Sequence, residues 1–333
     1  MRGNRRRSVS REGRRTIDNL AHTLAGAALG EAGLKEKTGL GLPTLMIAAN
    51  LPDVDILALA FGENLAFRRG LTHGPIGLLI LPPLLVGTMM LFDRWQARRG
   101  KRPEKRLPLH AGWLLALAYI GALSHPALDW LNTYGVRCLA PFSDRWFYGD
   151  TLVIIDVWMW TMLTIGVVWS QRRRRRDAVK VRTPAVAAIG ALVLYIAAMK
   201  GFSEYAELRV QDDLANEFGE LETVVASPVP IIPYERELIY RTADRRIGHG
   251  YIAPGEWHIG RSPEPDNMDD PRVTLAAAQS DDLRDFLFWS RLPFARFEGQ
   301  RVIVGDARYG SLPTNTTFTV EVELGAGTPP LRE

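Results

Sequence analysis

Four short stretches place ionisable residues where an apolar chain tolerates them least. They are Thr16-Ile-Asp18-Asn-Leu-Ala-His22-Thr23, Asn50-Leu-Pro52-Asp53-Val-Asp55, Leu71-Thr72-His73-Gly-Pro75 and Ser124-His125-Pro126-Ala-Leu-Asp129-Trp130. A charge at the centre of a spanning helix is disfavoured by roughly 2.5–3.5 kcal/mol. Residues kept there need a partner. Three histidines and several aspartates, each at the end or break of an apolar run, have the composition of a metal site.

Spacing sharpens that reading. Asp18 and His22 are four apart, as are His125 and Asp129, so on a helix each pair stacks on one face. A carboxylate so placed either shares a metal with the imidazole or holds the ring's other nitrogen. Pro126 is expected to disturb the second pair, because proline removes a helical hydrogen bond. Asp53 and Asp55 would point opposite ways on a regular helix. Pro52 predicts a break there, and irregular backbone at membrane depth is tolerated where it lines a cavity. A Pro-Asp-Val-Asp turn would then offer both carboxylates to one cation. His73, just before Gly74-Pro75, would open its helix toward the same cavity.

Mixed His/Asp donors suit a divalent transition metal, with zinc ahead of manganese or iron, better than calcium or magnesium. The expected ligands are His22, Asp53, Asp55, His73, His125 and Asp129. They allow either one ion with supporting carboxylates or two bridged ions. Asp18 and Asn132 are expected as support, and Asp150 or Asp156 as general base or further support. Water on such a metal has its pKa lowered toward about 7, which makes a nucleophile available for hydrolysis at neutral pH.

These residues must be positioned by apolar segments. Five stretches approach the roughly 20 residues that cross a bilayer: 40–61, 71–92, 109–131, 151–170 and 183–202. A sixth, 16–30, is shorter and rich in Ala and Gly. The predicted fold is a membrane all-α helix bundle of five to six segments, followed by a soluble α+β or mainly β domain. The division is expected as a basic tail over 1–15, a membrane domain over 16–203 and an extracytoplasmic domain over 204–333. Charge supports the split: up to residue 203 there are 28 Lys/Arg against 14 Asp/Glu, and beyond it 13 against 23. Stretches 237–240, 301–304 and 317–322 have strand composition between Pro/Gly turns. Residues 204–220 read as an amphipathic helix.

Residues 94–106 and 171–182 carry seven Lys/Arg each, which the positive-inside rule puts in the cytoplasm. These runs read as topology signals, and no nucleic-acid partner is expected. Loops 62–70 and 132–150, the acidic C-terminal part and the His/Asp motifs then all approach the outer face. His22 joins them only if segment 16–30 starts outside or is re-entrant. Asp18, Asn19 and His22 interrupt what would be a signal peptide's apolar core, which argues against that reading. One cysteine, Cys138, excludes an intrachain disulfide and a Cys-based zinc site.

The order of His22-Thr23, Pro52-Asp53-Val54-Asp55, Leu71-Thr72-His73-Gly74 and Ser124-His125-Pro126-x-x-Asp129-x-x-Asn132 resembles the YdjM-like group of inner-membrane proteins. The resemblance covers residues 16–170. Val225–Pro233 and Phe286–Gly310 are similar to the domain appended in longer members. It implies a membrane-bound, metal-dependent hydrolase in the inner membrane. A lipid or envelope ester is the expected substrate class, inferred from the site's depth. Two other classes compete. An ion- or proton-coupled transporter would need polar residues continuing to the inner face, where 71–92 and 151–170 are nearly bare. A scaffold braced by a structural metal would bind the ion without chelator-sensitive activity.

Overall fold

The computed structural model describes residues 18–55, 69–176, 178–309 and 318–325. Six helices come first: α1 (Asp18–Glu31), α2 (Gly41–Ala48), α3 (Pro75–Arg98), α4 (Ala111–Trp130), α5 (Val157–Arg175) and α6 (Thr183–Phe218). Their starts follow local chemistry. Pro75 sits in the first turn of α3 and Pro184 in that of α6, where a missing N–H is harmless. Asp156 caps α5 by accepting from Met159 N.

Among the described residues, three helices are long and apolar enough to cross a membrane: α3, α4 and α6. This replaces the expected five to six segments, and helix length is the reason. The stretch 40–61 yields the eight-residue α2, about 12 Å at 1.5 Å per residue, followed by a tight turn; residues 56–61 lie outside the described residues. The fourteen residues of α1 reach about 21 Å. In α5 the last turn is Arg172–Arg175, which leaves fewer apolar residues than a core of about 30 Å requires.

Two half-cores hold the bundle. Ala21, Ala28, Met159, Leu163 and Leu192 join α1, α5 and α6, while Ala48, Leu85, Leu114 and Ala118 join α2, α3 and α4. Two glycines let α2 sit between its neighbours. A Cβ on Gly26 of α1 would lie 2.7 Å from Leu45 O, and one on Gly121 of α4 2.8 Å from the same oxygen. No real side chain fits either approach. The end of α2 is thereby pressed against α4, and the turn after it enters the site.

The helix α6 runs on through the expected boundary at 203/204, its later half lying under a sheet-rich domain. Strands β1 (Thr223–Pro228), β2 (Arg236–Arg241), β3 (Arg246–Ala253) and β4 (Glu256–Ile259) are neighbours in that order, with β5 (Glu264–Pro265) also on β3. Helices α7 (Pro271–Gln279) and α8 (Asp281–Trp289) lead to β6 (Pro293–Glu298), β7 (Arg301–Asp306) and β8 (Thr319–Glu323), an antiparallel sheet in that order. The strand-like stretches of the sequence fall in β2, β7 and β8. Leu238 and Tyr240 pack on Ala206, Val210 and Leu214 of α6, and Val225, Ile239, Leu292 and Phe294 join the sheets.

Candidate metal centre

The four motifs meet at one end of the bundle. His125 and Asp129 come from the buried face of α4, one turn apart, with His125 Nε2 3.4 Å from Asp129 Oδ2. Pro126 lies inside the helix without breaking it, so the stacking survives. His73 precedes α3 through the tight Gly70–Gly74 turn. Asp53 and Asp55 stand on the short turn after α2. His22 lies one turn into α1, and Asp18 opens that helix. All six expected ligands are buried. The basic ends of α3 and α5 lie at the far ends of their helices from this cluster, where Asp93 pairs with Arg102 and Arg106 and Glu36 with Arg174 and Arg182.

The donors of His73, His125 and Asp129 lie within 4.8 Å of one another, and Asp53 is close to both rings. His73 Nε2 and His125 Nε2 are 3.1 Å apart. Asp129 Oδ2 is 3.3 Å from the first and 3.4 Å from the second. Asp53 Oδ1 is 3.8 Å from the first and 3.6 Å from the second. A tetrahedron of zinc ligands at 2.0–2.2 Å has edges of about 3.3–3.6 Å. The measured separations, from 3.1 to 3.8 Å, straddle that range.

Hydrogen bonding on the outer side of each ring makes the same demand. His125 Nδ1 lies 2.7 Å from Ala49 O, which can only accept, so Nδ1 carries a proton and Nε2 is the nitrogen turned to the cluster. At His73 the Thr72 hydroxyl donates to Asp55 Oδ2 at 3.3 Å. Its oxygen is then free to accept from His73 Nδ1 at 3.1 Å. The two Nε2 atoms face each other at 3.1 Å in a buried place; with both rings neutral and protonated on Nδ1, a cation between them would accept both lone pairs. The donor set fits a transition metal.

Each remaining predicted residue has a definite place. Asp55 is behind His73, its Oδ2 3.6 Å from Nδ1 and accepting from Arg69 N at 2.9 Å. The ring thus separates it from the Nε2 side, unlike Asp53. His22 stacks on His125 with centroids 3.7 Å apart and approaches Asp129 Oδ1 at 3.6 Å. It also lies near enough to Asp53 and His125 to complete a second ligand group. Asn132 Oδ1 accepts from Tyr134 N, Gly135 N and Arg69 Nη1, so it organises the loop beside the cluster. Asp156 accepts from Met159 N and Tyr195 Oη. Asp150 pairs with Arg291 at 2.6 Å. The contacts of these two aspartates run to a helix start and to the C-terminal domain, not to the His/Asp cluster.

Arg69 is the residue the sequence reading missed. It is buried, 3.1 Å from Asp129 Oδ1, with its guanidinium 4.7 Å from the centre of the Tyr134 ring. Its φ of 52° is uncommon for a side chain of this size, a kind of strain that collects at functional sites. The available signal was position alone: an arginine two residues before a motif at the end of an apolar run.

A model described as YdjM inner membrane protein matches residues 17–203. The chain belongs to that family. Neither a curated protein nor a solved structure matches it. The family description names the inner membrane, in line with three helices able to cross one. The match spans all four motifs and every proposed donor and ends within α6, just before the sheets.

Proposed function

We propose that this YdjM-family protein is an inner-membrane hydrolase that uses a divalent transition metal, zinc foremost, to cleave a phosphate or carboxylate ester of a lipid or envelope component. The observation that carries the reading is the pair of buried imidazole nitrogens 3.1 Å apart, flanked by Asp53 and Asp129. His73, His125, Asp53 and Asp129 would hold the ion, with His22 the reserve donor. Once bound, the ion supplies Lewis acidity, polarising an ester and acidifying water.

Charge balance favours one ion over two. Among the described residues, Asp53, Asp55 and Asp129 bring three negative charges against the one positive charge of Arg69, leaving two when the imidazoles are neutral. His125 also has one nitrogen left to give, because Nδ1 is held by Ala49 O. Around the ion, Asp55 and Thr72 fix the His73 ring, and Arg69 steadies Asp129. His22, Asp129 and Asn132 border a cleft whose other walls are apolar, Leu128, Leu152 and Met159 among them. His22 and Asp129 are placed to hold the proton of an attacking water, a role the sequence reading gave to Asp150 and Asp156. An apolar wall beside the donors suits a substrate with a hydrocarbon part. Placing the basic helix ends in the cytoplasm puts cluster and sheets on the outer side.

Purified in detergent without chelator, the protein should contain close to one transition metal per chain. His73→Ala should lose it while keeping its helical circular dichroism. Chelator should abolish release of headgroup or acyl product from ester lipids, and zinc should restore it. A folded, metal-free wild type would end this proposal.

A further inference from the structure

The turn joining β1 to β2, Val229-Pro-Ile-Ile-Pro-Tyr-Glu235, has an unusual surface for an exposed loop. Ile231 is 65% exposed and Tyr234 56%. Ile231 also has φ 70°, which a β-branched residue adopts only when its surroundings impose it. Isolated exposed apolar residues are ordinary, but these are not isolated. The turn leans on the outer ends of two helices. Trp158, the second residue of α5 and itself 46% exposed, donates from Nε1 to Ile231 O at 2.9 Å. Tyr195 and Met199 of α6 line the narrow cleft beneath Pro233. Both precede Lys200, the first charged residue of α6, so the turn lies alongside the apolar half of a helix able to span the membrane.

Its backbone is prepared for a dry setting. Pro228, Pro230 and Pro233 remove three N–H donors that would otherwise need partners at membrane depth. Four of the turn's carbonyls are answered from within the protein, Ile231 O by Trp158. Arg236, fully buried at the base of the turn, donates to Pro233 O at 3.0 Å and Glu235 O at 2.8 Å. Glu235 N donates to Ile232 O. The same guanidinium reaches Met199 O at 3.2 Å and Ser203 Oγ at 2.9 Å, which locks the turn to α6. Water would satisfy such carbonyls at no structural expense on an ordinary surface loop.

We infer that residues 229–235 form a wedge that inserts into the lipid headgroup region, with Ile231 and Tyr234 as its tip and Trp158 as its neighbour in the interface. A lipid surface is the occupant favoured because the apolar patch continues that of α5 and α6. The sheet would then stand with this end on the bilayer and its β2–β3 turn about 20 Å away, six residues of strand at about 3.3 Å each. This inference does not depend on metal or hydrolysis.

The test uses the full chain with Cys138→Ser, carrying a fluorophore at Ile231→Cys, Tyr234→Cys or, as control, Ala243→Cys in the β2–β3 turn. Each protein is reconstituted into phosphatidylethanolamine/phosphatidylglycerol vesicles containing lipid with an acyl-chain nitroxide. Labels at 231 and 234 should be quenched at least several-fold more than the label at 243, and shielded from aqueous iodide. Two tip positions guard against one variant misfolding, which gel filtration reports. Quenching at both tip positions no greater than at 243 would overturn the wedge. Shielding from iodide without nitroxide quenching would also overturn it, showing that protein rather than lipid covers the patch.

Discussion

Two buried charge clusters in this chain solve the same problem in opposite ways. In the C-terminal domain, Asp306 faces Arg308, whose Nε donates to Oδ1 and whose Nη2 donates to Oδ2, both at 2.8 Å. Ser290 Oγ and Arg291 N also donate to Oδ2. Charges cancel there, and the remaining guanidinium nitrogen donates to Thr133 O at 2.6 Å, binding the domain to the loop after α4. At the bundle's end, among the described residues, three carboxylates gather with one arginine and three histidines. The first cluster closes on itself as a clamp; the second groups carboxylates and imidazoles that could hold a cation.

The clamp also serves the centre. Thr133 adjoins Asn132, which holds Arg69, which in turn meets Asp129. Trp289 Nε1 adds a bond to Tyr134 O at 3.0 Å. The sheet domain thereby steadies the loop that carries Arg69's partners.

The largest effect should come from breaking the closed cluster. Arg308→Met leaves Asp306 buried without its cation, and removing one partner of a buried pair costs about 3–5 kcal/mol. Thermal unfolding in detergent should show a large fall in midpoint, with metal content of the still-folded fraction kept. Loss of metal from that fraction would show that the clamp and the centre are one unit.

A smaller effect separates the two aspartates of Pro-Asp-Val-Asp. Asp55→Asn keeps an acceptor behind His73, so metal affinity should fall about 10–100-fold, the usual effect of an outer partner. Asp53→Asn removes a donor and should fall further, as should Asp129→Asn. Competition with a fluorescent chelator measures all three. Equal losses at Asp53 and Asp55 would place both on the ion.

The smallest concerns pH. Burial raises the pKa of Asp306, but Arg308 and the donated hydrogen bonds outweigh it and hold the carboxyl down at about 2, against 3.8 for the free group. A depressed pKa contributes stability that is fully present above the unfolded value and is lost as pH falls from about 4 to about 2. That contribution is about 2 kcal/mol at neutral pH, at 1.36 kcal/mol per unit. The unfolding midpoint of wild type should therefore fall more between pH 5 and 2.5 than that of Asp306→Asn. Parallel curves would mean that Asp306 is not charged in the fold.

The sequence by itself determined where chemistry gathers. Ionisable residues are so unfavourable in an apolar setting that His22, Asp53, His73, His125 and Asp129 at segment ends could hardly be incidental, and helical spacing alone put His125 and Asp129 on one face. Family and sheet-rich C-terminal part were legible for the same local reasons, in motif order and strand composition. Tertiary structure decided the rest. Hydropathy could not tell a spanning helix from the short α2, because both are apolar and only the turn after Ala48 ends one of them. Asp53 and Asp55 look alike in sequence; the fold of one turn sets them on opposite sides of the His73 ring. Arg69 had no pattern to betray it, since its role arises from Asp129, Asn132 and Gly135, sixty or more residues further along the chain. Asp150 and Asp156 look like site carboxylates in one dimension, yet the fold gives one to Arg291 and the other to a helix start. Local rules assign residue types to places; only packing assigns partners, because partners distant in sequence are chosen by which surfaces must be buried together.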